Sequence, residues 1–321
     1  MCNSLEIFTQ TQYPVEVIPP WKMTLDELAK FDLVTLPETD VLTEAEGSAL
    51  RDYVAKGGKL LATWKPGLFD ERGRQRASFL LADVLGVDFV EEVTKYVGPR
   101  GTGFYLELSP HPLASFLGRG EIGFGGAGVG SGPVAAPVVR VKGAAESIMA
   151  FRLPLVQSEE EKRLHLDWNT PPPSNEMIPQ AITVFRYGEG QGIYAGAPLF
   201  RWYKADISWI EEWIRGAVRR LVPSPPLRVE GNDAIHATFF RQGPRRLVVQ
   251  MANSAVWATA GKAGPAKDLE IIGLTKHFPV RSARLLWPEE QVLNVTPGQD
   301  QWRVRIPEVP LHTIVALEQV A

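Results

Sequence analysis

Cysteine is almost absent: Cys2 is the sole example in 321 residues. That excludes an internal disulfide and any zinc site built on paired cysteines. It also fits a reducing compartment, so a cytoplasmic location is expected. Histidine is scarce, and His111, His165, His236, His277 and His312 are too dispersed to show metal-ligand spacing. No metal and no cofactor are expected. No apolar run approaches the ~20 residues that cross a membrane, and residues 1–17 lack the basic-then-apolar pattern of a secretory signal. A dominant charge is missing too. The formal net charge is −3 with Lys and Arg scattered, which leaves no electrostatic footprint for nucleic acid or an anionic membrane. The length suits two domains, each able to bury a core.

The pattern of residues 31–87 is strand, loop, helix, Gly-Gly turn, strand, loop, helix, which is a βαβ unit. Residues 15–18 form a short β-like run. Thr24 followed by Glu27 is a capping box that opens a helix. Residues 32–36 are apolar without alternation, as expected of a strand buried on both faces. Thr43 can cap the next helix, with Glu44 and Glu46 at the positive end of its dipole. Leu50, Tyr53 and Val54 give that helix one apolar stripe, and Gly57-Gly58 ends it. Residues 59–63 are the second parallel strand, and 78–85 read as a helix stopped by Gly86.

Further on, 105–108 and 147–153 read as strands. Residues 118–137 are so rich in glycine that a long loop is expected. With no Gly-Lys-Ser/Thr ending, a phosphate-binding role is rejected. Residues 168–173 form a stiff Pro-rich stretch, 181–187 and 192–195 a hairpin, and 207–221 an amphipathic helix. In that helix Trp209 and Trp213 are expected to pack rather than to form a ligand platform. Pro223-Ser224-Pro225-Pro226 is the clearest linker. Beyond it, short β-rich runs at 234–240, 246–251, 269–272, 280–286, 302–306 and 313–317 describe an Ig-like sandwich. The expected domains are an α/β domain over 1–222 and an all-β sandwich over 227–321.

A family resemblance rests on several blocks in order. They are the strand before Pro37, the helix ending Tyr53-Val54-Ala55-Lys56-Gly57-Gly58, Gly67-Leu68-Phe69-Asp70-Glu71, and Leu81-Ala82-Asp83-Val84-Leu85-Gly86. Tyr187-Gly188-Glu189-Gly190-Gln191-Gly192-Ile193-Tyr194 and the run 248–254 follow. Together they resemble the trimerisation (middle) domain and C-terminal β-domain of family-42 β-galactosidases. The resemblance implies a flavodoxin-like, class I glutamine-amidotransferase-like fold and a role in oligomer formation. The catalytic (β/α)8 barrel of such enzymes needs ~250 residues and has no counterpart in this sequence, so its carboxylates have none either. The short stretch before Val15 leaves the sheet with an expected open edge, which favours self-association.

An amidotransferase carries a cysteine on the sharp turn after the second strand. By the resemblance, Trp64 stands there, so glutaminase chemistry is not expected. Ligands in open parallel sheets bind beyond the carboxyl ends of the strands. Those ends carry Glu38 and Asp40, then Trp64, Lys65, Asp70 and Glu71, a set suited to a carbohydrate or small ester. The blander reading of that set is a loop-fixing or interface network. For acyl transfer, Ser131 with His165 and Asp167 is one candidate trio, and Ser109 near His111 offers another conceivable nucleophile. Three readings follow. The first is a non-catalytic, self-associating accessory module of glycoside hydrolases that binds carbohydrate or organises a partner. The second is a stand-alone hydrolase of esters or glycosides. The third is a pure assembly module.

Overall fold

The computed structural model describes residues 2–97, 105–117, 134–154, 173–202, 208–259, 261 and 263–319. Two compact units emerge. One is Ile18–Leu221; the other joins Cys2–Val17 to Val222–Ala321. The N-terminal segment, expected with the first domain, thus groups with the second unit. It contains a helix, α1 (Cys2–Gln10), that the sequence reading did not anticipate.

In the first unit, α2 (Leu25–Leu28) starts at Thr24, whose hydroxyl accepts the Glu27 N–H. Strand β1 (Leu33–Leu36) leads to α3 (Glu44–Ala55), then β2 (Lys59–Thr63). Helix α3 has the full reciprocal capping box of Thr43 and Glu46. It turns out through Gly57 at φ 103, a left-handed conformation that costs glycine little. After α4 (Ala82–Leu85) come β3 (Val87–Val97), β4 (Tyr105–Leu108), β5 (Val134–Gly143), β6 (Glu146–Pro154), β7 (Pro173–Tyr187) and β8 (Gly190–Ala195).

Among the described residues, six strands form one sheet in the order β1-β2-β8-β7-β6-β4. The β1, β2 and β8 strands are parallel, with Leu33 beside Lys59 and Lys59 beside Gln191. The β7 strand turns antiparallel to β8, and β6 and β4 continue that way. The sheet is therefore mixed rather than wholly parallel. The β7–β8 turn is Gly188-Glu189, with Tyr187 opposite Gly190. A side chain at Gly188 would put its Cβ 2.6 Å from the Ala55 carbonyl oxygen, so this turn can press on the end of α3 only as glycine.

Four local expectations need correction. Residues 15–18 are not a strand. The helix expected over 78–85 is confined to Ala82–Leu85, because Ser78 is engaged elsewhere: its hydroxyl holds Asp88 and accepts the Phe89 N–H. The β1 strand is not buried on both faces. It ends the sheet and buries only Val34 and Leu36, whereas β2, one place inward, buries all but its first residue. The segment expected as loop over 118–137 lies mostly outside the described residues, but 134–137 belong to β5, which pairs with β3 as a separate ribbon.

Helices α5 (Leu199–Trp202) and α6 (Ser208–Leu221) complete the unit. Ile210, Trp213, Ile214, Ala217 and Leu221 bury the apolar face of α6. The Trp213 indole N–H donates to the Leu113 carbonyl at 2.8 Å, which makes Trp213 a packing residue. Leu50, Tyr53, Leu60, Trp64, Phe79 and Tyr194 meet in one core.

The second unit holds β9 (Leu227–Glu230), β10 (Ile235–Gln242), β11 (Arg246–Asn253), α7 (Ser254–Ala258), β12 (Ala266–Leu274), β13 (Val280–Trp287), β14 (Gln291–Leu293), β15 (Val295–Pro297), β16 (Gln301–Val309) and β17 (His312–Gln319). They build two antiparallel sheets, β10-β11-β17-β13-β14 and β15-β16-β12-β9. Both sheets send alternate residues, among them Val249, Val315, Ile271 and Val304, into one core. The Trp302 indole is anchored there by its N–H to the Phe278 carbonyl at 2.6 Å. No described helix is long and apolar enough to cross a membrane.

Candidate functional site

Since β1 and β2 run parallel with Leu36 beside Ala62, their carboxyl ends open on the same side. Each strand ends close to a left-handed non-glycine residue: Glu38 at φ 44 and Trp64 at φ 69. Such conformations cost roughly 1–3 kcal/mol and persist where surrounding contacts over-determine them. Those contacts are visible. The Glu38 N–H donates to the Thr63 hydroxyl at 3.0 Å. The Trp64 N–H donates to the Ala195 carbonyl at 2.8 Å, and the Tyr194 hydroxyl donates to the Trp64 carbonyl at 2.9 Å. The two loops then zip together through Gly67 N–H to Thr39 O and Phe69 N–H to Asp40 O, both at 2.9 Å.

Glu38 Oε1 accepts the N–H groups of Phe200 and Arg201, at 2.8 and 3.2 Å. Burial nonetheless pushes its carboxyl above the ordinary range, against those two hydrogen bonds and the Arg201 charge. Asp40 is raised as well, again chiefly by burial, with the positive charges of Lys65 and Arg201 pulling it back and Glu92 pushing it further up. Asp40 Oδ1 is buried without a hydrogen-bond partner among the described residues. The Lys65 ammonium pairs with Glu92 and lies 4.6 Å from the centre of a Trp64 ring. Trp64 itself is only 3% exposed and belongs to the core.

Asp70 and Glu71 have different surroundings. Asp70 Oδ1 accepts the N–H groups of Arg72 and Arg74 at 2.9 and 2.8 Å, and Oδ2 accepts the Arg74 Nε–H at 2.7 Å. The Arg74 N–H leads the interactions that hold the Asp70 carboxyl below its ordinary value. Its oxygens are thus occupied in fastening a turn. Glu71 is exposed on that turn. The structure therefore gathers Glu38, Asp40, Trp64 and Lys65, adds Thr63, Glu92 and Arg201, and leaves Asp70 and Glu71 to the adjoining loop. Glu92 and Arg201 were missed because they arrive from β3 and α5, 27 and more positions beyond Lys65. No sequence spacing links them to the strand ends.

Ser131, His165 and Asp167 lie outside the described residues. At the other candidate pair, His111 Nδ1 accepts the Leu113 N–H at 3.1 Å, which commits that nitrogen to a local turn. No group of three or more His, Cys, Asp or Glu side chains suited to a metal ion occurs among the described residues. As arranged, the strand-end cluster offers half-buried carboxyl acceptors beside two cations, and the residue at the turn, Trp64, carries neither sulfur nor hydroxyl.

The sequence and structural neighbours of this chain include glycoside hydrolases, among them family-42 β-galactosidases. The β-galactosidase BgaB of Geobacillus sp. (strain Y412MC61) is 25% identical over 195 residues, covering 60% of this chain and 23% of that protein. A β-galactosidase of Geobacillus kaustophilus matches to the same extent. Among solved structures, α-L-fucosidase isoenzyme 2 from Paenibacillus thiaminolyticus aligns with 99% of this chain and 45% of its own, at 14% identity and a TM-score of 0.67. The family-42 β-galactosidase Gan42B from G. stearothermophilus, as its E323A catalytic mutant, covers 99% of this chain and 36% of its own at 16% identity and a TM-score of 0.55. This chain thus spans about a quarter of the curated relatives' length. No family profile matches it.

Proposed function

We propose that this chain is an accessory module associated with glycoside hydrolases, without barrel chemistry of its own, that self-associates and holds a carbohydrate at the strand-end cluster. In this reading its first unit is a glutamine-amidotransferase-like, flavodoxin-type domain and its second an Ig-like sandwich. The observation that carries the reading is Trp64. A nucleophile in such an architecture projects from the sharp turn after a parallel strand. Trp64 has that place and a left-handed backbone, yet its side chain is buried in the core. In this reading ligand recognition falls to the strand ends, where Glu38, Asp40 and Lys65 gather without a reactive sulfur or hydroxyl among them. The likeness of almost the whole chain to part of a fucosidase and of a β-galactosidase supports the association.

Labelling with a serine-directed fluorophosphonate and a panel of p-nitrophenyl esters test the reading. Neither a label nor turnover is expected. A labelled serine, Ser131 included, together with turnover lost on substituting that serine, His165 or Asp167, would overturn it. One observation favours a second reading, a stand-alone hydrolase: burial raises both Glu38 and Asp40, as a general acid requires. In that case Glu38→Gln or Asp40→Asn would abolish a measurable activity.

A further inference from the structure

One side of the second unit is closed by the N-terminal segment. Strands β9 and β10 each end a sheet, and residues 2–12 form a strap across them. The Val229 N–H of β9 donates to the Gln12 carbonyl at 3.1 Å. The Gln12 side-chain amide donates to the carbonyls of Asn232 and Ile235 at 2.6 and 3.1 Å, and Gln12 takes φ 64 to reach them. Helix α1 packs on β10 and buries Ile7 and Phe8. His236 of β10 meets the strap through both ring nitrogens. Its Nδ1 lies 3.4 Å from Thr9 Oγ1 and its Nε2 lies 3.3 Å from Gln10 Nε2.

These partners assign the protons of the ring. The Thr9 hydroxyl donates its hydrogen to the Glu6 carbonyl at 2.7 Å. Toward His236 it can therefore only accept, so Nδ1 carries a hydrogen. The Gln10 amide nitrogen can only donate, so Nε2 offers its lone pair. That is a neutral imidazole. Gln10 Oε1, meanwhile, is buried with no hydrogen-bond partner among the described residues, an arrangement that costs free energy. Turning the amide over brings Oε1 to the ring, where only an Nε2–H can satisfy it. A second proton on His236 supplies that donor. The exchange leaves an amide N–H in the oxygen's former place, so the net gain is a charge-assisted bond and a favourable dipole. The cation falls beside the last two residues of α1, at the negative end of the helix, and α1 has no basic residue of its own in its last turn.

We propose that His236 is a proton-operated latch on the N-terminal strap: the doubly protonated ring holds Thr9, Gln10 and the end of α1 more tightly than the neutral ring does. The titratable groups on the surrounding elements are Glu6 on α1, Asp233 ahead of β10, and His312 on β17. The residue of β11 opposite His236 is Ala252, which in turn stands opposite His312. Helix α7 carries no titratable side chain. Carboxylates nearby favour the cation, and a charged His312 opposes it. The stabilisation is complete below the ~6.5 of a free imidazole and is lost as the ring gives up its proton above it. The strap thus grips in mild acid and eases toward alkaline pH, baring the outer edge of β9.

The Val229 amide reports the strap directly, because its acceptor is the Gln12 carbonyl. Hydrogen exchange on the 321-residue chain compares about pH 5.5 with about pH 8, on either side of the imidazole range. Protection is taken relative to the unstructured rate, which cancels the intrinsic pH dependence. At Val229 it should be about threefold or more higher in acid, while Val249 and Val315, paired in the interior of the sandwich, stay unchanged. His236→Gln should abolish the difference. Ring-nitrogen shifts of histidine-labelled protein test the proton assignment without relying on a variant's stability, and above neutrality His236 is expected as the Nδ1–H form. Equal protection at the two pH values would overturn the latch. So would a difference that survives in His236→Gln, or a ring protonated at Nε2 alone above neutrality.

Discussion

Replacing Trp64 with alanine isolates what the indole contributes. Its backbone bonds to Ala195 and Tyr194 do not involve the side chain, so truncation leaves them in place. The indole is 3% exposed within the first unit's core, and removing a buried aromatic costs about 3–5 kcal/mol. Loss of the cation–π contact with Lys65, 4.6 Å from the ring, falls within that range. A second variant sharpens the test. Trp64 sits at φ 69, where a non-glycine residue carries roughly 1–2 kcal/mol of backbone strain. Glycine relieves that strain, so Trp64→Gly should cost no more than Trp64→Ala. At an ordinary extended position glycine would be the worse residue by roughly 0.5–1 kcal/mol. Urea unfolding followed by circular dichroism, fitted to the transition of the first unit, measures both. A cost under about 1 kcal/mol for alanine would refute the buried-indole account. Glycine markedly worse than alanine would refute the strained turn.

Other outcomes follow from the same structure. Thr43→Ala removes the reciprocal capping box of α3 and should cost about 1 kcal/mol in urea unfolding. Gly67→Ala forces a Cβ to 2.9 Å from Leu80 Cβ at φ 64. It should destabilise by about 1–3 kcal/mol, where alanine at an accommodating glycine position would stabilise. Asp40 has a folded pKa above its ordinary value of 3.8, so ionising it opposes folding. That penalty sets in as pH rises above the unfolded value and is complete beyond the folded one. Asp40→Asn should therefore raise stability at pH 8, with the gain vanishing near pH 3 in parallel melts.

Local signals in the sequence carried far. The Thr43 and Thr24 caps, the Gly57 exit and the hairpin turn were legible because each is decided within a few residues of chain, although the turn was expected over 188–191 and the pairing of Tyr187 with Gly190 shortens it to Gly188-Glu189. The parallel β1–β2 pair followed from one helix between two apolar runs. Long-range choices were not legible. Nothing in 2–10 announces that α1 and Gln12 will cover β9 and β10, since that covering depends on carbonyls of Asn232 and Ile235 more than two hundred positions away. The helix expected at Ser78 gave way to a side-chain hydrogen bond with β3, a tertiary contact outranking propensity. For the strand-end set the sequence left a ligand group and a loop-fixing network both open, and the donors from Arg72 and Arg74 make Asp70 a turn fastener. Loop carboxylates of both kinds look alike until their donors are known.

The reading of the chain as a mute scaffold is tested most directly by incubating the purified 321-residue chain with p-nitrophenyl β-galactoside and α-fucoside and following nitrophenolate release. The account predicts a rate indistinguishable from the buffer blank with either substrate. Release at rates of about 1 s⁻¹ or above, abolished by Glu38→Gln or Asp40→Asn in a protein that still melts cooperatively, would contradict it.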